Sequence, residues 1–376
     1  MNILVIGNGF DIAHGLPTGY KDFLRFTDAF MEFKKERRVL GKQVSVKEDE
    51  KEKQLIKYLV DLFNKAEADK ATKKLVNEIE ELIIDNKWLE YFKTINIAQG
   101  WIDFEREISK VVHAFDKARI ETLSELRSGG KGARLAPYQI DVLKPFIGKA
   151  TLICSMDSFG VWKDKLLKDL NRLTRCLEIY LCDYVENLPI KQKLPDIDGL
   201  DIDGVVSFNY TNTYRKNYVT DSAKKVACDF IHGEAKIENN IETCNMVIGI
   251  DEYLIGKARE EDNEYIQFKK FFQRIYKGTG SDYVDWLKNP KGYTIDDGKS
   301  YPTINIFIYG HSLDSTDGDI LSTLIMTEHA KTTIFYHDKE ALEKQIINLT
   351  KVITEEELIR KTGGIHKSIK FQPTKK

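Results

Sequence analysis

The chain opens on an apolar run, Ile3 to Ile6, in which every position is β-branched or Leu, and the run stops at Gly7-Asn8-Gly9. An unbroken apolar stretch of that length is the pattern of a short strand buried on both faces. Comparable runs do not return until Val205–Phe208, Asp229–Ile231, Met246–Ile248, Ile304–Ile308 and Thr332–Tyr336, each followed by a polar or glycine-containing turn. Ser368–Phe371 predicts one further edge strand. Between the first strand and the second the pattern changes in kind. From about 50 to 190 the apolar positions recur at helical spacing, as in "QLIKYLVDLFNKAEA" and "VWKDKLLKDLNRLTRCLEIYLCDYVENL", with Ala150–Cys154 the strand-like exception. The charge-dense "KKERRVLGKQVSVKEDEKEK" reads as a mobile loop, and "RSGGKGARLAP" as a loop joining two helical groups.

Buried strands separated by helices predict an α/β fold with a parallel sheet. The expected organisation is a sheet domain from residues 1–30 plus 200–345, a large α-helical insertion at 31–199, and a tail at 346–376 that adds an edge strand. A length of 376 residues fits two such bodies better than one core. Composition narrows function mostly by exclusion. Basic and acidic residues nearly cancel, 57 against 59, so no global charge points to nucleic acid or to a membrane surface. The five cysteines form no C-x-x-C pair, which fits a reducing cytoplasm and argues against a structural zinc. The opening apolar run is too short for a signal peptide, and no stretch approaches the ~20 apolar residues of a membrane span. A cytoplasmic location is expected.

In open parallel sheets, ligands bind beyond the carboxyl ends of the strands. The residues there are Gly7-Asn8-Gly9-Phe10-Asp11, Asn209-Tyr210-Thr211-Asn212, His232-Gly233, Gly249-Ile250-Asp251 and Gly310-His311-Ser312-Leu313-Asp314. Turn geometry alone enriches Gly, Asn and Asp at such places, so the collection is a site hypothesis and no more. Gly7 and Gly9 would let backbone N–H groups approach a phosphate. Asp11 is discordant there: it either caps the following helical turn or faces a cationic part of a ligand, such as the nicotinamide ring of NAD+. His14 is read as a half-buried turn residue and His311 is ambiguous. The pairs Tyr210/Tyr214 and Phe271/Phe272 read as core. In "WIDFE", Asp103 would start a helix while Trp101 and Phe104 pack.

"GNGFDIAHGLPTGY" resembles a sirtuin-type nucleotide loop, with Gly15-Leu16-Pro17 in the second, Gly-Ile-Pro place. "SFNYT" resembles the sirtuin strand end that delivers a catalytic Asn, here Asn209, and "FIHG" the one that delivers a catalytic His, here His232. "YGHSLDSTDGDIL" resembles the element that holds the adenosine side. The opening "ILVIGNGFDIAHGLPTGYKDFL", together with "WIDFE", is more narrowly similar to the AbiH family of phage abortive-infection proteins. The resemblance implies a sirtuin-like, Rossmann-type core that binds NAD or a related nucleotide. Asn209, His232 and Asp11 would be its catalytic residues. Gly7, Asn8, Gly9, Phe10, Gly15, Pro17, Thr211, Gly310, Ser312 and Asp314 would be its nucleotide contacts, with Asp338 an alternative to Asp314. It further implies a homo-oligomer and a phage-derived trigger or a defence-system partner.

Departures from the sirtuin pattern limit the chemistry. The paired C-x-x-C zinc module is absent, which makes a protein deacylase a poor fit. Thr211 stands where an acid normally follows the catalytic Asn. The aromatic of the first loop is displaced, with Tyr20 or Phe23 as substitutes. Two readings follow: an NAD+ hydrolase that cuts the nicotinamide–ribose bond, or a non-catalytic nucleotide sensor signalling through the helical insertion. A metal-dependent nuclease is disfavoured, because no D-x-D stands at a predicted strand end.

Overall fold

In the computed structural model the described residues are 1–39, 50–99, 103–148, 156–219, 225–251, 262–288, 290, 293–296, 299–365 and 367–375. Along the chain, β1 (Asn2–Ile6) and α1 (Asn8–Ala13) precede a run of helices: α2 (Tyr20–Val39), α3 (Glu50–Ala68), α4 (Lys70–Ile83), α5 (Lys87–Gln99), α6 (Phe104–Arg127), α7 (Pro137–Ile147) and α8 (Met156–Ile179). Then come β2 (Gly204–Ser207), α9 (Thr213–Tyr218), β3 (Ala227–Phe230), α10 (Lys270–Lys277), α11 (Tyr283–Lys288), β4 (Tyr293–Asp296) and β5 (Lys299–Pro302). The chain closes with β6 (Ile304–Tyr309), α12 (Gly318–Met326), β7 (Ala330–Tyr336), α13 (Lys339–Ile353), α14 (Glu355–Thr362) and β8 (Ile369–Pro373). Contacts group these elements into two compact units. One is formed by Met1–Thr18, Val185–Ala235 and Gly278–Lys376, the other by Gly19–Tyr184 with Lys236–Lys277.

The first unit is built on a six-stranded sheet in the order β3-β2-β1-β6-β7-β8, with every pairing parallel. Counted by its own strands, the order is 3-2-1-4-5-6, the doubly wound order, and the direction of winding reverses between β1 and β6. Side-chain alternation explains why β1 is apolar from Ile3 to Ile6. Ile3, Val5 and Val206 join Ile306 and Ile308 in a core on one face, while Leu4, Ile6 and Val205 join Phe10, Ile197 and Tyr214 on the other. Burying each such side chain contributes about 1.5–3 kcal/mol, so a strand with two covered faces favours apolar residues on both. The edge strand expected at Ser368–Phe371 is present as β8.

One predicted strand is absent. Met246, Val247 and Ile248 are buried, but they lie in the second unit, outside the sheet; the neighbouring Ile250 makes only an isolated bridge to Lys269. Gly249-Ile250-Asp251 therefore follows no strand of the sheet. The hairpin β4–β5 was not foreseen, because its strands are mostly polar.

The second unit is helical. Its aromatic core stacks Phe104 between Tyr20 and Phe92, with ring centroids 4.0 Å away on each side. Tyr20 and Phe23, the substitutes suggested from sequence for the loop aromatic, both pack on Phe104 here. Asp103 caps α6 by accepting the Arg106 N–H, as its place in "WIDFE" predicts. Asn86 does the same for α5, accepting the N–H groups of Trp88 and Leu89 (3.1 and 3.2 Å), a bond type worth about 1 kcal/mol. Buried Arg175 ties Lys236 and Ile237 to α8: its guanidinium pairs with Glu178 and Glu78 and donates to both backbone carbonyls. Of the charge-dense stretch expected as a loop, Lys34–Val39 belongs to α2 and Glu50–Lys53 to α3, and residues 40–49 lie outside the described residues. Phe271 on α10 is 40% exposed, contrary to its reading as core. Trp101 and Ala150–Cys154 lie outside the described residues. Among those described, no helix is long and apolar enough to cross a membrane.

Candidate functional site

The turn after β1 fits against the turn after β6. The N–H groups of Gly7, Gly9 and Phe10 are bonded to the carbonyls of Tyr309, Gly310 and Gly7, at 3.2, 2.8 and 2.8 Å. A Cβ on Gly9 would stand 2.8 Å from the Gly310 backbone, and one on Gly310, at φ +68°, would stand 2.1 Å from the Phe10 nitrogen. Backbone meeting backbone at the point where the winding reverses is what requires these glycines. Asn8 binds across the loop, its Oδ1 accepting the Thr18 hydroxyl at 2.6 Å. Phe10 is fully buried in the core against Tyr214, Tyr218 and Tyr309. Gly15 takes φ +83° to end the α1 turn, and Pro17 behind it is buried.

His14 is fully buried and structural. Its Nδ1 faces the Phe10 carbonyl at 2.7 Å and must donate, so its Nε2 accepts from the Tyr218 hydroxyl at 2.8 Å. That hydroxyl in turn accepts the Leu194 N–H. Burial lowers the imidazole's pKa, consistent with a neutral ring.

Asp11 does not cap α1, whose first turn has Gly7 at the cap position without a side-chain bond. The carboxylate is instead buried, 1% exposed, and accepts the Thr211 hydroxyl at 2.5 Å. Thr213 in turn donates to Thr211 at 3.2 Å. Burial pushes the Asp11 carboxyl from 3.8 up to about 6, against the pull of Thr211, Thr213 and Asn209, while Glu186 adds a like charge. Glu186 accepts the Asn212 N–H at 2.8 Å and is itself raised by burial. Asn209 lies close enough to favour the Asp11 anion, yet neither end of its amide makes a well-formed hydrogen bond with protein. The second oxygen of Asp11 is in the same condition. Each such buried polar group costs about 1–3 kcal/mol where no water or ligand completes it.

A second cluster stands at the same sheet end. His232, two residues past β3, meets Asp317 through Nε2 at 3.1 Å, and His311, two past β6, meets the other Asp317 oxygen at 3.6 Å. Phe208 packs against both imidazoles, with centroids 5.5 and 4.3 Å away. All three polar residues are buried. A cleft of about 550 Å³ opens over the ends of β1, β6 and β7, lined by Gly9, Gly310, His311, Ser312, Asp338 and Gln345 among others. That volume is in the range of small-molecule sites, roughly 300–1,000 Å³.

The predicted residues thus fall into three places. Asp11, Asn209 and Thr211 converge; His232 pairs with Asp317; Gly9, Gly310 and Ser312 border the cleft. Asp314 caps a single 3-10 turn through the Thr316 N–H, and Asp338 caps α13 through the Ala341 N–H. Sequence reasoning missed Asp317 and Glu186. Asp317 had a signal, an acid directly before the Gly-Asp-Ile-Leu that starts α12, whereas Glu186 had none.

A parallel sheet with polar side chains gathered at its carboxyl edge and a cleft where the winding reverses makes this an α/β protein. Comparison with protein families adds the particular kind: the family described as Bacteriophage abortive infection AbiH matches residues 3–338. The chain belongs to that family, which suggests a role in abortive infection. Neither curated proteins nor solved structures gave a match.

Proposed function

We propose that this AbiH-family chain is a phage-defence effector that binds NAD+ on a sirtuin-like core and hydrolyses its nicotinamide–ribose bond. The observation that supports this most is the buried group of unpartnered atoms, the Asp11 Oδ1 and both ends of the Asn209 amide, at the carboxyl ends of β1 and β2. The reaction breaks the C1′–nitrogen bond, the electron pair leaves with neutral nicotinamide, and water adds to an oxocarbenium-like carbon. Nicotinamide departs without a strong acid. The site has to shield positive charge and place a water. Asp11, ionised at neutral pH, faces the developing cation. The Asn209 amide orients the water or a ribose hydroxyl, and His232 takes the proton, a role worth about 10²–10⁴-fold. Gly9, Gly310 and Ser312 border the cleft that accepts the rest of the dinucleotide.

The test is product chromatography after incubating the purified chain with NAD+. Release of nicotinamide and ADP-ribose is expected. Asn209→Ala should lower turnover at least about tenfold while changing thermal stability little, because the amide makes no well-formed hydrogen bond with protein. Loss of stability with unchanged turnover would make Asn209 a structural residue.

A sensor reading is favoured by one observation: the N–H groups of Gly7, Gly9 and Phe10 are already bonded within the protein. Calorimetric binding of NAD+ without product at long incubation would support it over hydrolysis.

A further inference from the structure

We infer that Asp317 is the positioning residue of this site: it locks His232 in the tautomer whose basic nitrogen is Nδ1. The inference rests on the proposed NAD+ hydrolysis for its chemical consequence, but its geometry is independent of it.

Asp317 stands at the cap position of α12, where an aspartate ordinarily accepts a backbone N–H and contributes about 1 kcal/mol. Here its side chain makes no cap bond. The carboxylate turns to the two histidines instead, one oxygen to His232 Nε2 at 3.1 Å and the other towards His311 Nε2 at 3.6 Å. A carboxylate only accepts, so His232 must carry its proton on Nε2, which leaves the lone pair on Nδ1.

His311 is fixed from its far side. Its Nδ1 accepts the Leu313 N–H at 2.9 Å, so its proton is also on Nε2, directed at Asp317. Two histidines and one carboxylate can also suggest a metal-binding triad. A neutral His311 that spends its Nδ1 lone pair on Leu313 has no lone pair on Nε2 to give a cation, and two neutral imidazoles directing N–H groups at one carboxylate is the arrangement the geometry favours. Phe208 packs on both rings, with centroids 5.5 and 4.3 Å away. His311 also lines the cleft, so Asp317 connects the cleft wall to the residue placed as base.

The consequence is that removing the negative charge while keeping the shape should misplace the proton. In Asp317→Asn the amide can present either a donor or an acceptor, so His232 is no longer held in one tautomer. With NAD+ as substrate, kcat is expected to fall by about 100-fold or more, the scale on which loss of a histidine-orienting carboxylate acts, with KM changed less than about threefold.

The experiment has two readouts on the full chain. Nitrogen-15 NMR of histidine-labelled protein at neutral pH reports which ring nitrogen of His232 is protonated, its signal assigned by its loss in His232→Gln. The wild type is expected to show Nε2–H alone, and Asp317→Asn a mixture, with kcat reduced as stated. A wild-type His232 that is a tautomer mixture or Nδ1-protonated overturns the inference without any variant having to fold. So does an Asp317→Asn protein with wild-type kcat. A wild type that shows the locked tautomer and releases no nicotinamide refutes the hydrolase reading and leaves the positioning by Asp317 standing.

Discussion

Gly310→Ala is expected to abolish the folded protein, whereas Gly318→Ala, eight residues later, should leave it intact. At Gly310 two penalties coincide. Its φ of +68° is costly for any residue with a Cβ, by about 1–2 kcal/mol. The added carbon would also lie 2.1 Å from the Phe10 nitrogen and 2.4 Å from the Gly9 carbonyl carbon, and neither can move without parting the β1 and β6 turns. Overlap with backbone gives no flexible atom to displace, so a loss above about 4 kcal/mol is expected, comparable with the whole stability of many domains. At Gly318 the new methyl would meet Val352 at an ordinary 3.7 Å, at the first position of a helix. That change should be neutral or stabilising by up to about 1 kcal/mol. Soluble yield and thermal melting of the two variants are the measurement. Equal melting temperatures would mean that the two turns do not approach as closely as described.

The second large effect is expected at Asp11, where stability and activity should move in opposite directions. With a folded-state pKa of about 6 against 3.8 for an ordinary aspartate, the folded protein holds this proton more tightly than the unfolded chain does. Stability is therefore full below pH 3.8, declines as pH rises through about 6, and stays reduced by about 3 kcal/mol above that. Asp11→Asn cannot ionise. Its amide oxygen can still accept from Thr211, and its NH2 replaces the oxygen that has no partner. The variant should unfold at higher denaturant than wild type at pH 8, with the difference vanishing near pH 4. Asp229, also pushed to about 6 by burial, titrates in both proteins and cancels in the comparison. NAD+ turnover should fall about 100-fold or more in the variant, because a neutral amide does not stabilise the cation. In the wild type the rate should drop as pH falls below about 6, as Asp11 protonates. A variant less stable than wild type at pH 8 would show that the anion is held by partners and has no cost to relieve.

The sheet was largely readable from sequence because a strand covered on both faces is mainly apolar or β-branched, which isolates Ile3–Ile6, Ile304–Ile308 (interrupted by Asn305) and Thr332–Tyr336 from their surroundings. The same rule produced the false strand at Met246–Ile248: burial without alternation marks an extended core segment equally well. The mostly polar β4–β5 hairpin carries no such mark. The site was readable only in part. Reading the residues that follow each strand found Asp11, Asn209 and His232, since all three occupy strand ends. What it could not show is that Gly7 and Gly9 need hydrogen in place of a side chain because of Gly310, some 300 residues away. Thr211, noted as the loss of an acid, is the residue that holds Asp11. Partnerships of that separation leave no local trace, and Asp317 escaped because an aspartate ahead of a helix is ordinarily a cap.

Everything assigned to this edge of the sheet depends on a ligand completing Asp11 and Asn209. The direct measurement is a crystal structure of the wild-type chain soaked with ADP-ribose, which retains the ribose but has no bond left to cleave. The account predicts ribose oxygens, or a water held by them, within hydrogen-bond distance of the Asp11 Oδ1 and the Asn209 amide, with the remaining nucleotide in the cleft beside Gly310 and Ser312. ADP-ribose bound elsewhere, or unchanged buried side chains with the nucleotide absent at saturating concentration, would contradict it.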